Sequence, residues 1–283
     1  MSIIEPRIYY KPFEYQDAFD FYKNQHRAHW LADEVPLSSD LNDWKLKLTE
    51  SEKNLIGNIP KSLAQTETYV NDYWSTKVAV WFPKHEIKAM ACAFADFESI
   101  HAEAYARLNE ELGLDDFEAF MEDEEAKAKI DRLVEQPGDT LYDRALSLAI
   151  FSAFTEGVNL FSSFAVLLSF KLSNKLKGVG QIVEWSIRDE SMHSDAGCWL
   201  FRTLVKENPK LKTQELEAAC LKWGLKINSK KCRIMSDADC NIMIDREEVQ
   251  TVNEFVFLGS MLPSTTMDVN RKRALASAAF GRL

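Results

Sequence analysis

Apolar and polar positions alternate with a helical period along most of this chain, and one segment shows it most clearly. Residues 83–113, PKHEIKAMACAFADFESIHAEAYARLNEELG, are dominated by strong helix formers. Pro83 lies near the start of the segment and Gly113 lies just after its end. These are the positions at which helix start and stop signals are expected. The pattern therefore predicts one long helix with an apolar inner face.

Three polar side chains interrupt that apolar face. Glu98, His101 and Tyr105 occupy positions i, i+3 and i+7, which lie on one side of a helix. A single E-x-x-H pair is most often a partly exposed charge pair. However, the probable helix that contains EWSIRDESMHS carries a second pair, Glu190 and His193. Two such pairs on two helices are half of a ferritin-like dinuclear metal site, which also takes one Glu from each of two other helices.

One of those single carboxylates is easily found. Residues 145–170 form a strongly apolar run in which the only charged residue is Glu156. The run is long enough to span a bilayer, but its Ser, Thr, Asn and Gly content and its central carboxylate favour a core helix. A buried carboxylate is costly unless it is paired or bound to metal. The alternative is a protonated Glu156 that is hydrogen-bonded in the core.

The other single carboxylate is expected on a helix before residue 85. The segment LTESEKNLIGNIPKSLAQTETYVNDYWS opens with a capping box from Thr49 to Glu52. Pro60 predicts a kink in this helix. Glu67 and Asp72 are both candidate ligands, and spacing alone does not choose between them.

The order Glu, E-x-x-H-x-x-x-Y, Glu, R-D-E-x-x-H resembles the small, radical-generating subunit of class I ribonucleotide reductase, over about residues 8–212. The resemblance implies an all-α, ferritin-like bundle with a dinuclear metal site. It selects Glu67 as the first ligand. The implied metal ligands are Glu67, Glu98 and His101 for one ion, and Glu156, Glu190 and His193 for the other, with carboxylates bridging the two.

The same resemblance implies roles for three further residues and for partners. Tyr105 would be the oxidisable phenol beside the first metal, and Trp30, in HRAHWLADEV, would relay an electron toward the metals. Asp189 would link that indole to His101. The implied partners are a large reductase subunit and a second copy of the chain, as a homodimer.

The metal pair and the radical are left open. The family's first ligand is most often Asp, and Glu67 resembles manganese-containing subgroups, in which the phenol can be replaced or unused. Carboxylate and imidazole suit manganese and iron alike. The cofactor is therefore two metal ions, as Fe/Fe, Mn/Fe or Mn/Mn.

Composition favours an intracellular, cytoplasmic enzyme. The 283 residues include five Cys without a C-x-x-C pair, which favours reduced thiols. The start, MSIIEPRIYYKPFEY, does not have the pattern of a signal peptide. The net charge of −10 argues against nucleic-acid binding by the whole chain.

The last 70 residues differ from the rest. Residues 214–283 contain 10 Lys and Arg and 9 Asp and Glu, whereas the remainder is strongly acidic. The pattern predicts short strands in LKINSKKCRIM, CNIMID and EFVFLGSML, and a helix in VNRKRALASAAFGRL. This part of the chain resembles the end of a reverse-transcriptase palm from non-LTR retrotransposons. The resemblance rests on CLKWGLKINSKKCRIM, VNEFVFLGSML and RKRALASAAFGRL. No Y-x-D-D occurs, and Asp237 and Asp239 read as a turn.

These observations predict two domains joined near residues 207–216. Residues 1–212 would be the ferritin-like domain, truncated at its C-terminal side, and residues 213–283 a small α/β reverse-transcriptase-like fragment without catalytic aspartates. No Tyr follows residue 142, whereas the family's C-terminal tail carries one for docking and radical transfer. We therefore expect that the chain can form its metal site but cannot support turnover with a large subunit.

Three hypotheses follow. The first is a ribonucleoside-diphosphate reductase small subunit that activates dioxygen for deoxyribonucleotide synthesis. The second is a ferritin-like oxidase or metal-binding protein, against which Tyr105, Trp30 and the R-D-E-x-x-H context argue. The third is a non-functional chimeric or mis-assembled gene product.

Overall fold

The computed structural model describes residues 2–114, 116–122, 124, 127 and 138–222, together with four short strand segments between residues 243 and 262. The chain divides into two compact units, Met1–Leu225 and Lys226–Leu283. The predicted boundary at residues 212 and 213 stays a prediction.

The first unit is helical throughout its described secondary structure. Two helical stretches pass through π-helical turns, at Tyr73–Val78 and at Phe151–Asn159, and short 3₁₀ turns lie at Ala32–Glu34 and Pro209–Leu211. The α-helices are α1 Gln16–Arg27, α2 Ser38–Leu46, α3 Glu50–Gly57, α4 Ile59–Asp72, α5 Ala79–Trp81, α6 His85–Leu112, α7 Phe117–Glu122, α8 Leu141–Ile150, α9 Leu160–Leu172, α10 Lys177–Glu207 and α11 Gln214–Lys222.

The first unit buries two apolar clusters, and four helical stretches run from one to the other. The first cluster is built around Trp74, Phe94 and Leu200, and the second around Phe97 and Phe164. Both α4 and α10 run from the second cluster to the first, whereas α6 and the α8–α9 stretch run the opposite way. The four stretches therefore form a bundle whose middle, where the clusters meet, is flanked by apolar packing at both ends.

The start of α10 is fixed by two buried carboxylates from α2. Asp40 accepts hydrogen bonds from the backbone N–H groups of Gly178 and Val179, at 3.0 and 2.8 Å. Asp43 accepts one from Leu176 at 2.9 Å. A negative charge at a helix N-terminus satisfies free N–H groups and complements the helix dipole. Gly178 is required here, because a Cβ would lie 2.9 Å from Asp40 Oδ2.

The long helix predicted over 83–113 is confirmed as α6, and Gly113 ends it in the left-handed conformation, with φ of 69°. The Thr49–Glu52 capping box is also present. The prediction that Pro60 kinks one continuous helix is wrong. The segment forms two helices, α3 and α4, which are separated at Asn58. Pro60 lies in the first turn of α4, where its missing N–H costs nothing.

The apolar run from Leu141 to Leu172 is long and apolar enough to cross a membrane by length and composition, and 44% of its most apolar window is buried. A core helix passes the same test. This stretch carries the wholly buried Glu156 into the middle of the bundle. We therefore interpret it as a core helix.

The second unit contains two short antiparallel hairpins. Strand β1, Met243–Ile244, pairs with β2, Glu247–Glu248, and β3, Phe255–Phe257, pairs with β4, Ser260–Leu262. Strands predicted in CNIMID and EFVFLGSML are thus confirmed. The strand predicted in LKINSKKCRIM, the turn at Asp237 and Asp239, and the C-terminal helix lie outside the described residues.

Candidate metal centre

The six predicted ligands meet in the middle of the bundle. They come from four stretches of chain: α4, α6, the π-helical turn before α9, and α10. On each stretch the ligands lie where the chain passes from one apolar cluster to the other. All six side chains are wholly buried: Glu67, Glu98, His101, Glu156, Glu190 and His193.

These side chains form two overlapping groups, each able to hold a metal ion. Within each group, the potential ligand atoms lie within 4.8 Å of one another. One group is Glu67, Glu98, His101 and Glu190, and the other is Glu98, Glu156, Glu190 and His193. Because Glu98 and Glu190 belong to both, they are positioned to bridge two ions, whereas the sequence had left the bridging carboxylates unnamed.

The polar atoms of this cluster are poorly satisfied by the protein itself. Both carboxylate oxygens of Glu67 and Oε2 of Glu156 have no hydrogen-bond partner among the described residues. Within the described part of the chain, Glu98 Oε1 and Glu190 Oε1 contact only the imidazole nitrogens of His193 and His101, at 2.6 and 3.0 Å. Buried polar atoms are nearly always partnered in folded proteins. The unpartnered oxygens therefore fit a pair of divalent ions, for which carboxylate and imidazole are suitable ligands.

Each histidine directs one nitrogen into the cluster and the other outward. His101 Nδ1 lies 3.0 Å from both Glu98 and Glu190, and its Nε2 lies 3.2 Å from Asp189 Oδ2. His193 Nδ1 lies 2.6 Å from Glu98 Oε1, and its Nε2 lies 3.0 Å from Gln25 Oε1. An outer hydrogen bond of this kind fixes the ring and its tautomer, which leaves Nδ1 free for a metal.

The charges of the cluster are balanced by protons in the absence of ions. Burial raises the pKa of Glu67 and of Glu156 well above the ordinary value, and the nearby Glu190 charge raises both further. Burial opposes a charge on His193, but Glu98 and Glu190 outweigh it and raise its pKa to about 9. Metal binding requires these groups to lose their protons. The arrangement is thus suited to exchanging protons for cations.

Asp189 connects the cluster to Trp30. The Trp30 indole N–H donates to Asp189 Oδ2 at 2.8 Å, and the same oxygen contacts His101. Trp30 is buried, and its ring stacks on that of His101 with centroids 5.8 Å apart. Burial raises the pKa of the Asp189 carboxyl, but the contact with His101, the Trp30 hydrogen bond and the nearby His193 charge together outweigh it and hold the pKa below the ordinary value. The contact expected from the sequence is therefore present.

Tyr105 lies beside the first group without bonding to it. Its phenol O–H donates to Ser186 Oγ at 2.9 Å, and the side chain is wholly buried. Burial raises the pKa of the phenol far above its ordinary value, and the charge of Glu67 adds to the shift. The phenol therefore keeps its proton. Asp72, the alternative to Glu67, is exposed and lies outside both groups.

Sequence reasoning missed three residues that contact this centre: Gln25, Trp74 and Ser186. The Trp74 indole N–H donates to Glu156 Oε1 at 3.0 Å, and both residues lie in π-helical turns, which are frequent at functional sites. The sequence carried a signal for two of the three, because Trp74 follows Glu67 by seven residues and Ser186 precedes Glu190 by four. Nothing in the sequence around Gln25 marks it.

A helical bundle with an E-x-x-H pair on each of two helices and a single Glu from each of two others defines a dinuclear carboxylate protein of the ferritin-like class. The sequence pattern of the family described as "Ribonucleotide reductase, small chain" matches residues 7–254. The chain belongs to the ribonucleotide reductase small-chain family.

Relatives in sequence carry the same name. The chain is 33% identical over 270 residues to a probable ribonucleoside-diphosphate reductase small subunit of Invertebrate iridescent virus 6, covering 90% of this chain and 75% of that one. It is 27% identical to the ribonucleoside-diphosphate reductase subunit beta of Chlamydia pneumoniae, covering 73% of this chain and 64% of that one. The chain thus spans about two thirds to three quarters of these relatives.

Solved structures show the same fold at low sequence identity. The dimanganese(II) NrdF protein of Streptococcus sanguinis aligns with a TM-score of 0.68 at 22% identity, over 77% of both chains. A ribonucleotide reductase homodimer from Saccharomyces cerevisiae aligns with a TM-score of 0.64 at 24% identity, over 77% of this chain and 71% of that one.

The family match also bears on the C-terminal part. It continues through the predicted junction near residues 207–216 and ends at residue 254. Most of the segment predicted to resemble a reverse transcriptase therefore lies within the small-chain match, and the comparisons give that resemblance no support.

Proposed function

We propose that this chain is the small subunit of a ribonucleoside-diphosphate reductase, whose two metal ions react with dioxygen to generate the oxidant used by a large subunit. The single observation that carries the proposal is the pair of overlapping ligand groups, with six wholly buried side chains and unpartnered carboxylate oxygens. Two manganese or iron ions, when bound, supply the electrons that reduce dioxygen. Which pair of metals the protein uses is not decided by carboxylate and imidazole ligands.

The protein's own residues would divide the remaining work. His101 and His193 would each bind an ion through Nδ1, while Asp189 and Gln25 hold the rings by their outer nitrogens. Glu98 and Glu190 would bridge the ions. The apolar clusters on both sides exclude bulk water, which protects a reactive oxidant from side reactions.

Two aromatic residues are proposed to carry electrons. Trp30 contacts Asp189, which contacts His101, so this chain of hydrogen bonds leads from an indole to a ligand. Tyr105 is proposed as the phenol that is oxidised, losing an electron and its proton, with Ser186 Oγ as the hydrogen-bond acceptor next to that proton. Glu67, in place of the family's usual Asp, resembles the manganese-containing subgroups of the family.

Electron paramagnetic resonance tests this chemistry. The metal-loaded, reduced protein is exposed to dioxygen, and the spectra of the wild type and of Tyr105→Phe are compared. We expect an oxidised dimetal species in both, with a phenoxyl signal only in the wild type. An identical signal in both proteins would show that Tyr105 is not the radical. Absence of oxidation in both would reject dioxygen activation.

A large reductase subunit and a second copy of the chain are the proposed partners, and the cytoplasm is the proposed location. A reductase assay with a large subunit from the same source tests the first partnership.

We also retain, as a proposal, the view that residues 214–283 have no polymerase activity. It rests on the quoted segments that resemble a reverse-transcriptase palm and on the lack of a Y-x-D-D motif. Sequencing the transcript across codons 205–220 tests whether the two parts belong to one gene. A continuous message supports a single product, and a break would indicate a mis-assembled one.

A further inference from the structure

A cavity of about 580 Å³ lies between α4 and α6, on the outer side of the metal centre. Its inner end is formed by Glu67 and Glu98, which are wholly buried ligands of the centre. Its outer rim includes Thr68, Asp72 and Glu103, which are exposed. The cavity therefore extends from the protein surface to two of the predicted ligands.

The lining of this cavity is acidic and rich in oxygen. Its ionisable residues are four carboxylates, Glu67, Asp72, Glu98 and Glu103, and the residues described as lining it include no lysine, arginine or histidine. Carboxylate, hydroxyl and amide oxygens suit hard divalent ions such as Mn²⁺. A cleft lined by charges of one sign concentrates counter-ions and raises their association rate. The chemistry of the cavity thus selects small cations.

The inner end of the cavity reaches a ligand of the centre whose oxygens have no protein partner in the described part of the chain. Both carboxylate oxygens of Glu67 are buried and have no hydrogen-bond partner among the described residues. Small side chains, Ala64, Ala102 and Ala106, leave the space in front of them unfilled. Asn71 ties the two walls together, because its amide donates to Ala95 O and to Ser99 Oγ, at 2.5 and 2.9 Å.

Packed side chains cover the two histidines of the centre. Trp30 and Asp189 cover His101, and Gln25 covers His193. Trp74 and Phe94 pack edge to face beside His193, with ring centroids 4.9 Å apart. These residues are buried. In contrast, small and polar groups line the space between α4 and α6.

We propose that this cavity is the route by which divalent metal ions enter the dinuclear centre. The inference rests on the proposed function, because it requires that the centre bind metal. Asp72 and Glu103 at the rim attract the ion, and Glu67 receives it at the inner end. Since Glu67 is wholly buried, the last step requires a local movement of side chains between α4 and α6.

The test is the rate of Mn²⁺ uptake by the metal-free protein, measured in a stopped-flow experiment with a fluorescent indicator for free Mn²⁺. The double variant Asp72→Asn, Glu103→Gln removes the rim charges. The matched control is Glu110→Gln with Glu111→Gln. It removes two exposed charges from α6, the helix that carries Glu103, at positions outside the cavity. We expect the rim variant to take up Mn²⁺ about ten-fold more slowly at low ionic strength and the control to be unchanged.

Salt and a steric variant sharpen the test. The difference between the rim variant and the wild type should vanish near 1 M salt, where the screening length falls to about 3 Å. Ala102→Phe fills the cavity without changing charge and should slow uptake at both salt concentrations. In all variants the number of Mn²⁺ ions bound at equilibrium should equal that of the wild type.

Two outcomes would overturn the proposal, and they differ from a failure of the proposed function. Rim and control variants with equal uptake rates would reject the electrostatic role of the cavity, and an unchanged rate in Ala102→Phe would reject the route. If the wild type bound no more than trace Mn²⁺ at equilibrium, the dinuclear centre itself would be rejected, whatever the rates.

Discussion

Helix α6 carries two buried glutamates whose surroundings are opposite. Glu86, in its first turn, accepts hydrogen bonds from the Arg7 guanidinium at 2.5 and 3.0 Å and from the backbone N–H groups of Glu14 and Tyr15. Glu98 lies 12 residues further along, about 18 Å at the rise of an α-helix. Its neighbours are three other buried carboxylates and two imidazoles.

The difference between these glutamates separates a structural from a functional use of the same residue. Glu86 has its charge neutralised by Arg7 and its oxygens bonded, so it needs nothing from outside the protein. Around Glu98, no donor among the described residues bonds either oxygen of Glu67 or Oε2 of Glu156, and Glu98 Oε1 and Glu190 Oε1 have only the two imidazoles beside them. An unsatisfied polar cluster costs stability unless a ligand completes it. Both glutamates are buried, so burial does not separate a functional glutamate from a structural one. They differ in whether protein groups bond the carboxylate oxygens.

The largest effect is expected from breaking the satisfied pair. Glu86→Gln leaves the buried Arg7 charge with only the longer contact to Glu14, at 3.6 Å, and should lower the free energy of unfolding by about 3–5 kcal/mol. Glu67→Gln, the same change within the metal centre, should alter the stability of the metal-free protein little, because burial already favours the protonated Glu67. Chemical denaturation of both variants measures the contrast, and equal losses would contradict it.

The Arg7–Glu86 ion pair should make the free energy of unfolding depend on pH. Burial opposes the charge on Glu86, but Arg7 and the backbone N–H groups that bond the carboxylate together outweigh it and hold the pKa of Glu86 below its ordinary value. The stabilisation is therefore present above the unfolded-state pKa of about 4.3 and is lost as the pH falls through the lower folded-state pKa. The free energy of unfolding of Glu86→Gln should therefore fall less than that of the wild type as the pH is lowered through this range.

An intermediate effect is expected from the residues that hold the imidazoles. Gln25→Leu and Asp189→Asn should each weaken the binding of one ion by about 10–100-fold, since outer hydrogen bonds orient metal-binding histidines. Gln16→Leu is the matched control, because Gln16 lies on the same helix as Gln25 but bonds only to Asp20 at the surface. Competition with a metal chelator measures the affinities. Equal affinities in Gln25→Leu and Gln16→Leu would remove Gln25 from the centre.

The smallest effect concerns the hydrogen bond of Tyr105. A double-mutant cycle with Ser186→Ala and Tyr105→Phe should give a coupling energy of about 1 kcal/mol, the usual value for one buried neutral hydrogen bond. Denaturation of the two single variants and the double variant supplies the numbers. Strict additivity would mean that the phenol and the Ser186 hydroxyl do not interact in solution.

Much of the centre could be predicted from the sequence, because the helical period turns spacing into position. Glu98 with His101, and Glu190 with His193, lie three residues apart, so any helix places each pair on one face. Glu156 was recognisable because it is the one charge in an apolar run. These signals are local, and local geometry survives folding.

The rest depended on contacts between distant parts of the chain. Gln25 and His193 are separated by 168 residues, and Tyr105 and Ser186 by 81. No periodicity in one helix reports such a contact. The separation of α3 from α4 at Asn58 was missed for a different reason. Pro60 is compatible both with a kink in one helix and with the first turn of a new helix.

The number of metal ions bound per chain tests the central claim most directly. Elemental analysis of the purified protein, after loading with manganese or iron and removal of free metal, should give about two ions in the wild type. It should give about one in Glu156→Ala, because Glu156 belongs to only one ligand group and no other carboxylate lies in its apolar run, residues 145–170. No more than trace metal in the loaded wild type would contradict the account.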